Sequence, residues 1–241
     1  MYIADPILIV AAVVPAVLLL NFVYKHDRLE KESGKLLITL VIFGIISTLL
    51  ASATETLGIT VLPYIINAQN SVLFNIILYF VVVACSEEGF KYLILKKKTW
   101  KNPEFNCQFD GVVYAVFVSL GFALWENIGY VIQYGISTAI ARAVTAIPGH
   151  ACFGVFMGAF YGMAKRLEFA GNASSSKRFR FLSFFVPMLL HGLYDYLAAT
   201  SEQNDAWIFV AFVVVVFFVS FKLVKKLSVN DKYIDNPYEN E

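Results

Sequence analysis

Four short motifs place ionisable side chains inside strongly apolar stretches of this sequence. They are Glu87-Glu88-x-x-Lys91, Phe122-x-x-x-Glu126-Asn127, His150-x-x-x-Gly154 and His191-x-x-x-Asp195. Two adjacent carboxylates, a third on another segment and two histidines are the groups that general acid/base hydrolysis requires. The same side chains could instead ligate zinc, because glutamate, aspartate and histidine are all zinc ligands in proteins.

The spacing within the motifs brings side chains together if these stretches are helical. Glu87 and Lys91 lie four residues apart, as do His191 and Asp195, so each pair shares one helix face. A structural ion pair would explain why Lys91 and one glutamate can be buried together in a membrane helix. One lysine cannot neutralise both Glu87 and Glu88, however. The adjacent glutamates therefore need a shared proton or a reactive role.

The sequence lacks the motifs of other hydrolase classes, which reduces the number of catalytic mechanisms to consider. There is no H-E-x-x-H, no G-x-S-x-G and no G-x-G-D partner for Tyr194-Asp195, so the usual zinc, serine and two-aspartate arrangements are not indicated. The missing H-E-x-x-H favours a metal-free reaction. We therefore expect no cofactor, with zinc as the alternative.

The composition and the apolar runs predict a membrane protein. Of the 241 residues, 59% are hydrophobic and only 15% are charged, and the mean hydropathy is +0.67. About 20 apolar residues cross a bilayer as a helix, and such runs lie near residues 3–24, 36–53, 72–95, 110–133, 139–163, 181–199 and 207–224. The sequence therefore predicts an all-α, polytopic membrane helix bundle with about seven transmembrane helices, of which the second is the shortest.

The basic residues alternate between the predicted connections. Apart from Lys91 and Arg142, every Lys and Arg lies after the first, third or fifth run, or at the end of the last run and beyond it. Because cytoplasmic loops are rich in Lys and Arg, the N-terminus is predicted to lie outside and the C-terminus in the cytoplasm. Arg142 is then expected at the outer membrane interface, and the ionisable motifs from mid-membrane towards the outer face.

The chain is predicted to form one integral-membrane domain over residues 1–230, with the motif-bearing core at about 72–200. Residues 231–241 read as a polar cytoplasmic tail, and 172–180 as a solvated, flexible connection. The net charge of only +1 gives no overall basic field that would indicate nucleic acid. The lipid bilayer is the expected environment.

In this order, the four motifs resemble those of the PrsW-type intramembrane proteases, relatives of the CAAX prenyl protease and bacteriocin-processing group. The resemblance covers about residues 80–200. It implies a glutamic-type endopeptidase of the bacterial plasma membrane that cuts a membrane-anchored protein near the outer face. PrsW-like proteins are associated with the first cut of an anti-sigma factor, so a single-span protein of this kind is the expected partner.

The resemblance also implies roles for the carboxylates. Glu87 is expected to activate the attacking water, while Glu88 and Lys91 orient it. Glu126 is expected to assist at the position where the CAAX proteases have a histidine. This difference sets the present sequence apart from that group.

The remaining motif residues are implied to act around the substrate carbonyl. His191 and Asp195 are expected to bind the oxyanion, although the CAAX group tends to have asparagine at the second position. An ionised Asp195 could not donate a hydrogen bond. His150 is expected to be essential without an assigned step, and Asn127 to support the site.

A proton-coupled transporter or channel is the alternative from another functional class, since intramembrane Glu and His residues also occur there. Clustered carboxylates and seven spans without inverted-repeat symmetry weigh against it. A bacteriocin or a CAAX-like prenylated peptide is the alternative substrate for the same chemistry.

Overall fold

The computed structural model describes residues 6–66, 71–200 and 205–234, and these residues fold into a bundle of helices. The described part contains no strand, and its one β-type contact is an isolated antiparallel bridge between Cys107 and Tyr233. The helices are α1 (Pro6–His26), α2 (Gly34–Ile65), α3 (Ser71–Ile76), α4 (Cys85–Thr99), α5 (Asp110–Tyr134), α6 (Ile136–Val144), α7 (Ala146–Phe169), α8 (Ala173–Thr200) and α9 (Ala206–Val229), with a π-helical segment (Ile77–Ala84) between α3 and α4.

Seven helical stretches of the described chain are long and apolar enough to cross a membrane, which confirms the expected all-α polytopic bundle. The segment from α3 to α4 is one crossing, and α6 and α7 together make another. The connections after α1, α4 and α7 and the end of α9 carry most of the basic residues. We call this the basic end of the bundle, and the other the opposite end.

The second crossing is longer than the sequence suggested. It spans 32 residues as α2, so the prediction that the second run ends near residue 53 is wrong, because the helix continues through residues 54–65. The threonines beyond residue 53 are compatible with the helix, because their hydroxyls bond to carbonyls of the preceding turn. Thr54 donates to Ala51 O at 2.8 Å and Thr60 to Thr56 O at 2.7 Å.

The central helix of the bundle is α5, which is buried without interruption from Asp110 to Ala123. Glycines allow its neighbours to approach it closely. A Cβ atom at Gly158 of α7 would overlap the carbonyl oxygen of Gly111, and one at Gly44 of α2 would overlap that of Val118. Small residues allow such close approach between membrane helices, and α5 thereby holds α2 and α7 in fixed positions.

The third crossing changes its winding just before the first motif. It is π-helical over Ile77–Ala84 and becomes α-helical at Cys85, two residues before Glu87. π-helical turns are rare and frequently occur at functional sites. The π-helical segment packs on α8, where a Cβ at Gly192 would lie 2.5 Å from Cδ1 of Phe80. The π-helical segment therefore contacts α8 beside His191.

The fifth crossing is interrupted near the opposite end. Just before this crossing, Gly135 ends α5 with φ at +81°, a left-handed conformation that favours glycine. A further break at Thr145 separates α6 from α7. As a result, α6 does not continue the axis of α7, and Arg142 on α6 contacts Glu126 and Asn127 of α5.

Two segments at the basic end are more ordered than the sequence suggested. The expectation of a flexible connection at 172–180 is wrong from Ala173 onward, because α8 begins there and the Asn172 side chain accepts a hydrogen bond from the Ser175 N–H at 3.1 Å. Within the stretch predicted as a tail, residues 231–234 contact the loop before α5. The Gln108 N–H donates to Lys232 O at 3.1 Å, and the Asp231 carboxylate accepts from the Phe109 N–H at 2.8 Å.

Candidate active site

Four helices bring the predicted site residues into one buried group. α4 contributes two glutamates and a lysine, α5 a glutamate, α7 a histidine, and α8 a histidine and an aspartate. We call this group the ionisable cluster; its members are Glu87, Glu88, Lys91, Glu126, His150, His191 and Asp195. Hydrogen bonds or close charge contacts link all seven side chains, so residues more than 100 positions apart in sequence form one site.

The ammonium group of Lys91 lies at the centre of the ionisable cluster. Its Nζ atom is 2.7 Å from Oε1 of Glu88, 3.1 Å from Oε2 of Glu87 and 3.1 Å from Nδ1 of His150. The lysine is completely buried, and Nζ lies 3.9 Å from the ring centre of Phe122. A buried ammonium needs such partners, and it holds both adjacent carboxylates on one side.

His150 connects this lysine to the carboxylate on α5. Since the ammonium can only donate, Nδ1 of His150 accepts from Lys91. Its Nε2 lies 2.9 Å from Oε2 of Glu126, and in a neutral imidazole this atom then carries the proton and donates to the carboxylate. His150 is therefore fixed in one orientation and one tautomer between two charged groups.

His191 makes the corresponding connection on α8. Its Nδ1 lies 2.9 Å from Oε1 of Glu88, the oxygen that also accepts from Lys91. Its Nε2 lies 3.4 Å from Asp195 and 3.9 Å from Oε2 of Glu87. The Nε2 atom thus lies beside Glu87, and its contacts are longer than the hydrogen bond that Nδ1 makes to Glu88.

A cavity of about 440 Å³ opens beside the ionisable cluster. Glu87, Glu126, His150, His191 and Asp195 line it, whereas Glu88 and Lys91 lie behind this layer. Tyr130 and Arg142, which adjoin the turn after α5, also line the cavity, so it extends towards the opposite end. A peptide and a water molecule could therefore reach Glu87 from that end.

Residues outside the four motifs also line the cavity. Arg142, expected only to mark an interface, forms an ion pair with Glu126 over 3.0 Å, and its Nε donates to Asn127 at 2.9 Å. Asn127 in turn donates to Ala12 O of α1 at 2.9 Å. Glu55 of α2 is a second residue that the motifs do not include. The signal for both was present in the sequence, since each is a lone charge within or beside an apolar run.

The arrangement has the parts of a hydrolytic site. Of the two adjacent glutamates, Glu87 faces the cavity and Glu88 is held behind it by Lys91. Nε2 of His191 lies 3.9 Å from Glu87. A carboxylate that contacts a bound water molecule can take a proton from it. A neighbouring N–H group can donate a hydrogen bond to the oxyanion that forms on the substrate carbonyl.

Known proteins match this chain over most of its length. Residues 32–223 match the family described as PrsW family intramembrane metalloprotease. The chain is 34% identical to Protease PrsW of Halalkalibacterium halodurans over 218 residues, which covers 90% of this chain and 95% of that protein. It is 30% identical to Protease PrsW of Bacillus subtilis over 219 residues, with 91% and 94% covered. No solved structure matches the chain.

These matches confirm the resemblance that the four motifs indicated, and they extend it beyond the motif-bearing spans. Curated relatives named as proteases also favour a protease over a transporter. The chain therefore belongs to the PrsW family of intramembrane proteases, and it is a multi-pass protein of the bacterial cell membrane.

Proposed function

We propose that this protease hydrolyses a membrane-anchored protein near the outer membrane face with water that Glu87 activates. The observation that carries the proposal is the position of Glu87, which lines the cavity while Glu88 and Lys91 lie behind it. Of the two adjacent glutamates, only Glu87 can therefore contact a water molecule and a substrate carbonyl in the cavity. Glu88, whose Oε1 accepts from both Lys91 and His191, holds those residues in place.

The reaction follows from this placement. Glu87 takes a proton from water, and the resulting hydroxide attacks the carbonyl carbon of the scissile peptide bond. An oxyanion forms on the substrate in this step. Nε2 of His191, which lies beside Glu87, donates a hydrogen bond to this oxyanion when the imidazole is protonated. Asp195 stabilises the protonated imidazole. When the tetrahedral intermediate collapses, the carbon–nitrogen bond breaks and Glu87 returns its proton to the leaving amine.

The remaining members of the ionisable cluster act through their neighbours. Lys91 forms ion pairs with both Glu87 and Glu88, and its positive charge reduces the repulsion between the two carboxylates. Glu126 accepts from Nε2 of His150, and this contact keeps Nδ1 of His150 directed at Lys91. In this proposal His150 is a positioning residue, which gives a reason for the essential role expected of it.

The family description names a metalloprotease, so the donors must be compared with the needs of a metal ion. Oxygens of Glu87 and Glu88 and ring nitrogens of His150 and His191 lie within 4.8 Å of one another, and their types suit zinc. However, the Lys91 ammonium contacts three of these four residues. The ammonium already occupies one oxygen of each glutamate and Nδ1 of His150, and its positive charge disfavours a second cation beside it. We therefore propose a metal-free reaction.

The metal-free proposal can be tested on the purified protein. We expect chelators to leave peptidase activity unchanged and elemental analysis to find less than one zinc ion per chain. Loss of activity with a chelator, followed by recovery on adding zinc alone, would refute it.

For the substrate, the resemblance to PrsW proteases supports a single-span anti-sigma factor and a first cut on its outer side. The cavity extends towards the opposite end, which is the outer one if the basic end faces the cytoplasm. A substrate cut there would keep its membrane anchor, so a second protease would be needed to release its cytoplasmic part.

The test is co-expression with a panel of tagged single-span proteins that includes anti-sigma-type proteins, bacteriocin precursors and prenylated peptides. We expect a shortened product from an anti-sigma-type member with the wild type and none with Glu87→Gln, a variant of equal size. Glu30→Gln, which changes an exposed carboxylate at the basic end, should cut as the wild type does. A product from the prenylated or bacteriocin members alone would refute the anti-sigma proposal.

A further inference from the structure

Glu55 is a carboxylate of the cavity that the proposed reaction does not use. It lies on α2 and lines the cavity together with Glu87, Glu126 and Asp195. Its Oε1 atom is buried and has no hydrogen-bond partner within the described chain. The side chain therefore faces the space that a substrate would enter.

The other carboxylates of the cavity each have a cationic or imidazole partner. Glu87 pairs with Lys91 over 3.1 Å, Glu126 with Arg142 over 3.0 Å, and Asp195 lies 3.4 Å from His191. For Glu55, no ion pair is formed with any residue in the described ranges. Within the described ranges, Glu55 is thus the carboxylate lining the cavity that has no such partner.

An unpaired carboxylate in an apolar environment is unfavourable unless it holds a proton or meets a cation. A substrate can supply the cation as the ammonium of lysine or the guanidinium of arginine. Tyr79 and Tyr130, which line the same cavity, add aromatic surface, and cations are attracted to such surfaces. Arg142 does not compete for Glu55 because it is already paired with Glu126 and stacks over Tyr130 at 4.1 Å.

We propose that Glu55 binds a lysine or arginine side chain of the substrate, close to the scissile bond and on the side of the opposite end. Counting at 1.5 Å per residue, Glu55 lies roughly 30 Å along α2 from the basic end, whereas Glu87 lies roughly 18 Å from it along α4. The basic residue is therefore on the outer side of the bond that Glu87 attacks. A basic side chain near the end of a membrane helix can extend its charged group to the membrane surface.

This inference rests on the proposed peptidase reaction and names a feature of its substrate. The test uses a single-span reporter protein in which eight residues at the outer end of the span are randomised. Cells that express the protease are sorted by loss of the reporter's outer tag, and the cleaved and uncleaved pools are sequenced. The protease is wild type, Glu55→Gln, Glu55→Lys, Glu30→Gln or Glu87→Gln.

With the wild type we expect about tenfold more Lys and Arg at one or two positions in the cleaved pool than in the uncleaved pool. A ratio of this size corresponds to the free energy of about one hydrogen bond to a charged group. Glu30→Gln should give the same enrichment, Glu55→Gln should lose it, and Glu55→Lys should enrich Asp and Glu at the same positions. If Glu55→Lys does not fold, the comparison with Glu55→Gln still decides the question.

Three results would overturn the inference. They are equal Lys and Arg enrichment for wild type and Glu55→Gln, no enrichment for the wild type, and a uniform loss of cleavage with Glu55→Gln across all sequences. A wild-type cleaved pool no larger than that of Glu87→Gln would instead refute the proposed reaction itself, and the inference with it.

Discussion

The Nζ atom of Lys91 on α4 lies 3.1 Å from Nδ1 of His150 on α7, and this contact joins two halves of the ionisable cluster. On one side stand the adjacent glutamates of α4, on the other the pair of His150 and Glu126. Without the lysine, two buried carboxylates would face each other and a histidine nitrogen. The contact makes Lys91 part of the site's geometry as well as of its charge balance.

Replacing Lys91 by methionine should therefore remove activity and lower stability. Breaking a buried ion pair by removing one partner costs about 3 to 5 kcal/mol, because a charge is left uncompensated. We expect a clearly lower melting temperature in detergent and no product in the cleavage assay. Lys97→Met, at an exposed position of the same helix, should change neither measurement.

The double variant Lys91→Met with Glu88→Gln separates stability from activity. It removes one buried carboxylate along with the cation, so the melting temperature should return most of the way to the wild-type value while cleavage stays absent. A double variant as unstable as Lys91→Met would show that charge balance is not what Lys91 provides.

Arg142 should act on the reaction through Glu126. Its ion pair with Glu126 and its bond to Asn127 hold the carboxylate that orients His150. A hydrogen bond to a charged group contributes about 1.5 to 3 kcal/mol, so Arg142→Gln should lower kcat by roughly tenfold to a hundredfold. KM should change less, and Arg142→Lys, which keeps the charge, should recover part of the loss.

The control for Arg142 is Arg178→Gln, at an exposed position near the basic end, which should behave as the wild type. If Arg142→Gln raises KM and leaves kcat unchanged, the arginine contacts the substrate and does not position Glu126.

Sequence patterns could predict the crossings and the membership of the ionisable cluster. Apolar runs fix which segments are helical in a bilayer, and a four-residue spacing places Glu87 with Lys91, and His191 with Asp195, on shared faces. These rules act within one helix, so they do not depend on how helices pack. The seven helical crossings were accordingly confirmed.

The contacts between helices could not be predicted in the same way. Nothing in local spacing places His150 beside Lys91 or Arg142 beside Glu126, because helix packing and the break at Thr145 determine both. Glu55 was missed for a different reason. It lies just beyond residue 53, where the predicted second run ended, although the apolar residues that follow it continue the helix to Ile65.

Close packing between α5 and α7 should limit substitution at Gly158. A Cβ there would overlap backbone atoms of Gly111 and Val112, and backbone cannot move as readily as a flexible side chain. Overpacking of this kind costs about 1 to 3 kcal/mol, so Gly158→Ala should lower the melting temperature. Gly129→Ala on α5, where no atom of another helix in the described chain lies within 4 Å of the added group, should be neutral. Equal effects of the two variants would contradict close packing as the cause.

Buried carboxylates at the basic end should make stability depend on pH. Burial raises the pKa of Glu32 from 4.5 to about 7, against the hydrogen bond that it accepts from Tyr114 at 2.6 Å, and repulsion by Asp27 adds to the rise. Burial likewise raises the pKa of Asp27 from 3.8 to about 6. Both residues lie between α1 and α2, outside the crossings.

The direction of the effect follows from proton binding. Between pH values of about 4 and 7 the folded protein holds more protons on these two carboxyls than the unfolded chain does. Its stability must therefore fall as the pH rises through this window and level off above it. For Glu32 alone the loss is at most about 3 kcal/mol, and the melting temperature should be lower at pH 8 than at pH 5.

Glu32→Gln tests this assignment, since the amide oxygen can still accept from Tyr114 but carries no charge at any pH. We expect the variant to melt at a higher temperature than the wild type at pH 8, and the difference between the two to shrink towards pH 5. Asp205→Asn, at an exposed position before α9, should keep the wild-type slope. If Glu32→Gln also keeps that slope, the pH dependence arises elsewhere, and burial of Glu32 is not its cause.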